Sequence, residues 1–78
     1  MPTKAYILIE TAVGKSRNVA GELRSLNGVE TVDPVTGPYD IIAVIGGNDM
    51  AVVGNIVTEQ IHTVPGVVRT VTCVAVGT

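Results

Sequence analysis

Apolar residues follow two different periods along this chain, and the two periods alternate. Four segments are rich in β-branched and other apolar residues, as strands are: Lys4–Thr11, Val29–Thr36, Tyr39–Gly46 and Val67–Val76. Two segments between them carry apolar residues at spacings of three and four, the pattern of an amphipathic helix. The sequence therefore predicts the order strand, helix, strand, strand, helix, strand.

The two helices, with the strands that follow them, are copies related by a shift of 38 residues. The matched positions are Val19 with Val57, Leu23 with Ile61, Leu26 with Val64, Gly28 with Gly66, and Val29 with Val67. In each copy the first three positions lie on one helix face, and the glycine falls where a helix needs a left-handed residue to end. Asn48 or Asp49 is the predicted N-cap of the second helix.

Two strand–helix–strand units joined by a tight turn at Thr36–Tyr39 predict an α+β, ferredoxin-like βαββαβ fold. In that fold a four-stranded antiparallel sheet has both helices on one face. Pro34 places the second strand at an edge of the sheet, where a missing N–H is tolerated. With 78 residues, the chain is expected to form a single domain over 1–78.

The predicted strands are apolar on both faces, although two helices can cover only one face of the sheet. The third strand, for example, has the apolar run Ile41–Ile45. Burying each of about six to eight uncovered side chains would contribute about 1.5–3 kcal/mol, against an association cost of about 4–15 kcal/mol. We therefore expect a homodimer formed through the open sheet face.

The composition excludes several classes of function. One Cys and one His cannot build an internal disulfide or a zinc site, so we expect no metal or cofactor. A net charge of −2 without a basic cluster argues against direct nucleic-acid binding. No apolar run approaches the roughly 18 residues that span a membrane, and an unpaired Cys fits a cytoplasmic protein.

The residues that could carry chemistry are isolated from one another in the sequence. His62 lies beside the apolar helix stripe and is expected to be solvated, while Cys73 is expected to be a buried, inert thiol. Asp40 has two interpretations of similar weight. It could bond its own turn backbone, or it could be a carboxylate at a rigid strand end that receives a ligand ammonium group. Turn N–H groups nearby could then meet a ligand carboxylate.

Two motifs carry a resemblance to a known family. They are Val35-Thr36-Gly37-Pro38-Tyr39-Asp40-Ile41-Ile42 and Val64-Pro65-Gly66-Val67, the latter followed by Arg69-Thr70 and Thr72. In this order and spacing, the chain from about Ala5 to Val76 resembles the effector-binding domain of the Lrp/AsnC transcription regulators. The resemblance implies the ferredoxin-like fold, dimers with their sheets face to face, and rings of dimers such as octamers.

The same resemblance implies a binding site for a small amino acid between neighbouring dimers. The implied site residues are Gly37, Tyr39 and Asp40 of one subunit with Thr70 and Thr72 of another. Thr70 and Thr72 also have a simpler interpretation, because threonine is an ordinary strand residue.

The leading hypothesis is a non-enzymatic, amino-acid-binding regulatory module that oligomerises. Full-length regulators carry an N-terminal helix-turn-helix domain, whereas this sequence starts at the first strand. The expectation is thus a stand-alone member that senses an amino acid or assembles with a full-length Lrp/AsnC regulator. Two alternatives remain: a purely structural assembly partner, and a small dimeric αβ-barrel enzyme whose cavity would be the open face, with Tyr6, Thr70 and Thr72 as its polar groups.

Overall fold

The protein folds around one antiparallel sheet. A computed structural model describes residues 3–76. The elements are β1 (Thr3–Thr11), α1 (Ser16–Arg24), β2 (Val29–Pro34), β3 (Ile41–Gly47), α2 (Met50–Asn55), a π-helical segment (Ile56–Ile61) and β4 (Val67–Val74). The strand order is β2-β3-β1-β4, with every neighbouring pair antiparallel. This topology confirms the ferredoxin-like prediction, and the edge position of β2 confirms the inference from Pro34.

The helix ends follow the local sequence signals. Asp49 caps α2, with its carboxylate accepting a hydrogen bond from the Val52 N–H at 3.1 Å. Gly28 and Gly66 follow the two helical regions with φ of +90° and +101°, a backbone conformation that side chains disfavour. The left-handed conformation predicted for both glycines is confirmed, but the helical regions end earlier, at Ser25 and His62, and Asp49 rather than Asn48 caps the start of α2.

The second helical region is not the regular helix that the apolar spacing predicts. After Asn55 it widens into the π-helical segment, where the His62 N–H donates to the Val57 carbonyl five residues earlier at 3.0 Å. Three residues of this segment are buried: Ile56, Val57 and Ile61. An added Cβ at Gly28 would lie 2.7 Å from Cδ1 of Ile56, so the segment packs closely against the turn between α1 and β2.

The core lies between the helices and one face of the sheet. Each strand alternates, so that every second residue points into this layer. The largest fully buried side chains are Ile7, Ile9, Leu23, Ile41, Ile45, Ile61, Val19 and Val53. In residues 3–76 there is no helix long and apolar enough to cross a membrane.

The opposite face of the sheet has no helix over it and is largely apolar. Residues paired across strands share a face, and the pairings place six such residues on the open face: Tyr6, Leu8, Ile42, Val44, Val71 and Cys73. Tyr6 and Val71 are 39% and 37% exposed. The prediction of apolar residues on both faces is confirmed for the central strands β1 and β3, whereas β2 places Thr31 and Asp33 on the open face.

Cys73 is exposed in the single chain, so the expectation that its thiol is buried is wrong for the single chain. It is paired with Tyr6 on the open face of β4, and β4 is an edge strand. An apolar neighbourhood in the sequence therefore does not imply burial, because neither a helix nor a further strand covers this position.

Candidate functional site

The β2–β3 turn holds the first group of predicted site residues at one end of the sheet. The Val35 N–H donates to the Asp40 carbonyl at 2.9 Å, and the Asp40 N–H donates to the Ile9 carbonyl at 2.9 Å. Between them Gly37 has a φ of +133°, which a side chain would strain. The turn thus fixes Tyr39 and Asp40 beside the end of β1.

The Asp40 carboxylate has a partner that neither sequence interpretation named. Its Oδ2 accepts a hydrogen bond from the Thr11 N–H at 2.8 Å, across 29 residues of sequence. The register between β1 and β3 ends at Ile9 and Ile41, so Thr11 extends past the partner strand. The half-buried Asp40 side chain therefore supplies the acceptor that β3 would otherwise provide.

Tyr39 and Arg69 bring the turn and β4 together. The Cζ atom of Arg69 lies 5.9 Å from the centroid of the Tyr39 ring, a cation–π distance. Arg69 Nε also lies 3.3 Å from Oε1 of Glu10, its cross-strand neighbour. Both charged side chains are substantially exposed, so the ion pair contributes little by itself. It fixes the direction of Arg69 more than it stabilises the fold.

Thr70 and Thr72 lie on the helix side of β4. They are paired with the buried residues Ile9 and Ile7, and paired residues share a face. The expectation that these hydroxyls belong to the open face is therefore wrong, since strand alternation puts Val71 and Cys73 there instead. Of the three polar groups assigned to an enzyme cavity, Tyr6 remains on that face.

His62 is exposed, as predicted, but it is not isolated. Its Nε2 lies 2.6 Å from Oγ1 of Thr70, a side-chain hydrogen bond between the end of the π-helical segment and β4. Residue spacing gives no signal for this contact, because it depends on how far the helical region turns before β4 begins.

Within one subunit, the five predicted site residues form two groups, one in the β2–β3 turn and one on β4. β1 lies between β3 and β4, and neighbouring strands are about 4.8 Å apart. The backbones at Ile41 and Thr70 are therefore separated by about 10 Å. Thr70 lies on the helix face of β4, whereas the Asp40 carboxylate accepts a hydrogen bond from the Thr11 N–H at the end of β1.

Two surface clefts lie elsewhere on the described part of the chain. One, of about 470 Å³, lies between α1 and the loop before β4, with Lys15, Arg17 and Glu22 in its wall. Another, of about 380 Å³, lies on the other side of α1. Neither is lined by Gly37, Tyr39, Asp40, Thr70 or Thr72. Residues 3–76 also contain no cluster of three or more His, Cys, Asp or Glu side chains that could hold a metal ion.

Comparison with known families accounts for the motifs on the turn and on β4. The family model of the Lrp/AsnC ligand binding domain matches residues 4–78. This chain belongs to that family. Among curated proteins, none matches this Lrp/AsnC domain.

Solved structures share the fold of this Lrp/AsnC domain over nearly its full length. A protein of Thermus thermophilus is 30% identical with a TM-score of 0.92, over 97% of this chain and 95% of that one. A hypothetical protein from Pyrococcus horikoshii is 31% identical with a TM-score of 0.89, over 100% and 93%. A transcriptional regulator from Neisseria meningitidis, solved as a complex with L-methionine, is 18% identical with a TM-score of 0.86, over 96% and 50%.

Proposed function

We propose that this Lrp/AsnC domain is a non-enzymatic regulatory module that binds a small amino acid at a site shared between subunits. The observation that carries the proposal is the family match over residues 4–78. The L-methionine complex of the Neisseria regulator, which has the same fold, supports an amino acid as the ligand class. The unpaired Cys73 supports a cytoplasmic location.

The open face is the proposed dimer interface. Its apolar centre has polar groups at both ends: Lys4 Nζ lies 5.5 Å from the Tyr6 ring centroid at one end, and Arg69 pairs with Glu10 at the other. An apolar core with a polar rim is the usual composition of a specific interface. A second copy placed face to face would bury the six open-face residues in both chains at once.

The proposed ligand site lies between dimers of a ring such as an octamer. Gly37, Tyr39 and Asp40 of one subunit would meet Thr70 and Thr72 of another, so residues from two subunits would surround the ligand. The Asp40 carboxylate would accept hydrogen bonds from the ligand ammonium group, and the hydroxyls of Thr70 and Thr72 would donate to the ligand carboxylate. A ligand that contacts both subunits stabilises the ring, so ligand concentration would control assembly.

The regulatory output would follow from this coupling. The same open face could pair with the equivalent domain of a full-length Lrp/AsnC regulator, which would supply DNA binding. In that mixed assembly, residues 1–78 would act as a single ligand-sensing domain.

The test joins calorimetry with a mass measurement. Each of the twenty L-amino acids is titrated into the protein, and its mass in solution is measured by light scattering with and without ligand. We expect heat from at least one small amino acid and a larger mean mass in its presence. A stable oligomer that gives no heat with any of them would contradict the proposal and identify a purely structural assembly partner.

A further inference from the structure

The contact between His62 and Thr70 joins a titratable group to a residue of the proposed ligand site. Nε2 of His62 and Oγ1 of Thr70 are 2.6 Å apart. His62 is exposed and Thr70 is half-buried. The chain contains a single histidine. An imidazole has a neutral and a charged form, so Thr70 has a neighbour with two hydrogen-bonding states.

The π-helical segment determines where this histidine points. A turn of π-helix contains an additional residue, so residues after the segment are rotated relative to a regular helix. Its buried residues Ile56, Val57 and Ile61 hold the segment in place, and Ile56 lies against Gly28 in the turn between α1 and β2. Turns of this kind occur frequently at functional sites. The position of His62 is thus set by packing.

Protonation of the imidazole changes what Thr70 can do. A neutral imidazole nitrogen either accepts or donates a hydrogen bond, whereas both nitrogens of the charged ring are donors. Thr70 has one O–H donor and can also accept. When His62 is charged, Oγ1 of Thr70 must accept from Nε2–H, and the Thr70 hydrogen is then free to bond an external acceptor.

The charged groups on the surrounding elements leave Thr70 as the partner of His62. Glu59 lies on the same π-helical segment, and Lys15 lies at the start of α1 near Gly66. Arg69 and Glu10 pair with each other on the open face, on the other side of the sheet. Within residues 3–76, none of these groups forms an ion pair with the imidazole.

We propose that His62 is a positioning residue of the ligand site: in its charged form it directs the Thr70 hydroxyl to donate to the carboxylate of the bound amino acid. This inference rests on the proposed function. The ligand α-carboxylate stays ionised above about pH 5, so the affinity depends on the charge of His62. Affinity therefore decreases as pH rises and the imidazole loses its proton.

The test follows the pH dependence of binding in the wild-type protein and in matched variants. Each of the twenty L-amino acids is titrated at pH 6, and the one that binds most tightly is then titrated at intervals up to pH 8. We expect the wild-type affinity to fall about fivefold over this range, since charge-assisted hydrogen bonds are stronger than neutral ones. His62→Gln keeps a neutral N–H donor and should bind with a flat profile. Thr70→Val should bind weakly throughout, and Thr58→Val, an exposed threonine of the π-helical segment, should behave as the wild type.

The outcomes separate this inference from the proposed function. Binding in which His62→Gln keeps the wild-type pH profile overturns the role of His62 and leaves amino-acid binding intact. No binding of any amino acid at any pH overturns both. As a second measurement, the proton NMR signals of the single imidazole report His62 directly, and they should shift on ligand addition in the wild type but not in Thr70→Val.

Discussion

The Asp40 carboxylate closes a gap that the strand register leaves open. β1 continues to Thr11, but its pairing with β3 ends at Ile9, so the Thr11 N–H has no backbone acceptor on β3. The Asp40 carboxylate accepts this hydrogen bond instead, at 2.8 Å. A residue in this position serves the fold whether or not a ligand binds. Deleting the Asp40 side chain would remove its structural and its binding role together. The two roles are therefore separated by comparing a substitution that keeps the hydrogen-bond acceptor with one that removes it.

We predict that Asp40→Asn and Asp40→Ala differ in stability but agree in binding. Asp40→Ala leaves a half-buried N–H without its partner and should lower the free energy of unfolding by about 1 kcal/mol, whereas the amide oxygen of Asp40→Asn can still accept, at about half that cost. Both variants lose the charge that would receive a ligand ammonium group. Urea unfolding at equal protein concentration and calorimetry measure the two effects.

The control for Asp40 is Glu22→Gln, which removes a charge of the same sign from the exposed side of α1. It should leave both stability and binding unchanged. If Asp40→Asn bound the amino acid as tightly as the wild type, Asp40 would serve the fold alone.

At the scale of elements, each helical region must end sharply before the next strand enters the sheet. Gly28 makes this possible after α1, with a φ of +90° and with Cδ1 of Ile56 only 2.7 Å from where a Cβ would lie. The close approach brings the turn between α1 and β2 against the π-helical segment. The two copies of the repeat are therefore held to each other at this position.

We predict that Gly28→Ala lowers the free energy of unfolding by about 1–3 kcal/mol, through backbone strain and overlap with Ile56. The matched control is Gly21→Ala in α1, where an added Cβ meets no atom within 4 Å. That substitution should stabilise the protein by about 0.5–1 kcal/mol, because alanine favours a helix interior. Equal effects of the two substitutions, measured by urea unfolding, would contradict the packing described at Gly28.

The features that the sequence predicts correctly are those that do not depend on the details of long-range packing. The strand order, the edge position of Pro34, the Asp49 cap and the two left-handed glycines all depend on local patterns and fold-level rules. The π-helical segment escaped prediction, because a widened turn has the same apolar residues as a regular one.

The candidate site was harder to predict because its contacts are long-range. The hydrogen bond of Asp40 spans 29 residues, and the one between His62 and Thr70 crosses from a helical region to a strand. The exposure of Cys73 and the face of Thr70 depend on strand register, which pattern alone does not define. The residue types were visible in the sequence, and their partners were not.

At the scale of the whole molecule, the environment of the open face differs between a monomer and a dimer. In a monomer its six apolar side chains remain in contact with water. In a face-to-face dimer they form a second core. A single charge on this face should therefore change the assembly without disturbing the core beneath the helices.

If the proposed open-face dimer forms, we predict that Val71→Lys leaves the protein as a monomer of 8.0 kDa. Val71 is 37% exposed on the open face, and burying a lysine charge in an apolar interface is unfavourable. The matched control is Val52→Lys on α2, where the wild-type residue is 40% exposed. It should keep the wild-type mass in analytical ultracentrifugation.

Cys73 provides a second measurement of the same interface. It is the single thiol of the chain and lies on the open face, so a dimer should protect it from a thiol reagent. The reaction should be slow in the wild type and in Val52→Lys, and fast in Val71→Lys. A wild-type protein that is monomeric at micromolar concentration, with a rapidly reacting thiol, would rule out the open-face dimer.

The two edge strands, β2 and β4, differ in how well they prevent pairing with the edge of another molecule. β2 has Pro34 and a register shift after Val29, and both interrupt backbone pairing. β4 contains no proline and Arg69 as its one charge. The Ala75 N–H donates to the Lys4 carbonyl, so the alternation directs the backbone groups of Thr70 and Thr72 away from β1. Concentrated protein would thus begin to aggregate along β4, and a lysine at an outward position there is the substitution to improve its solubility.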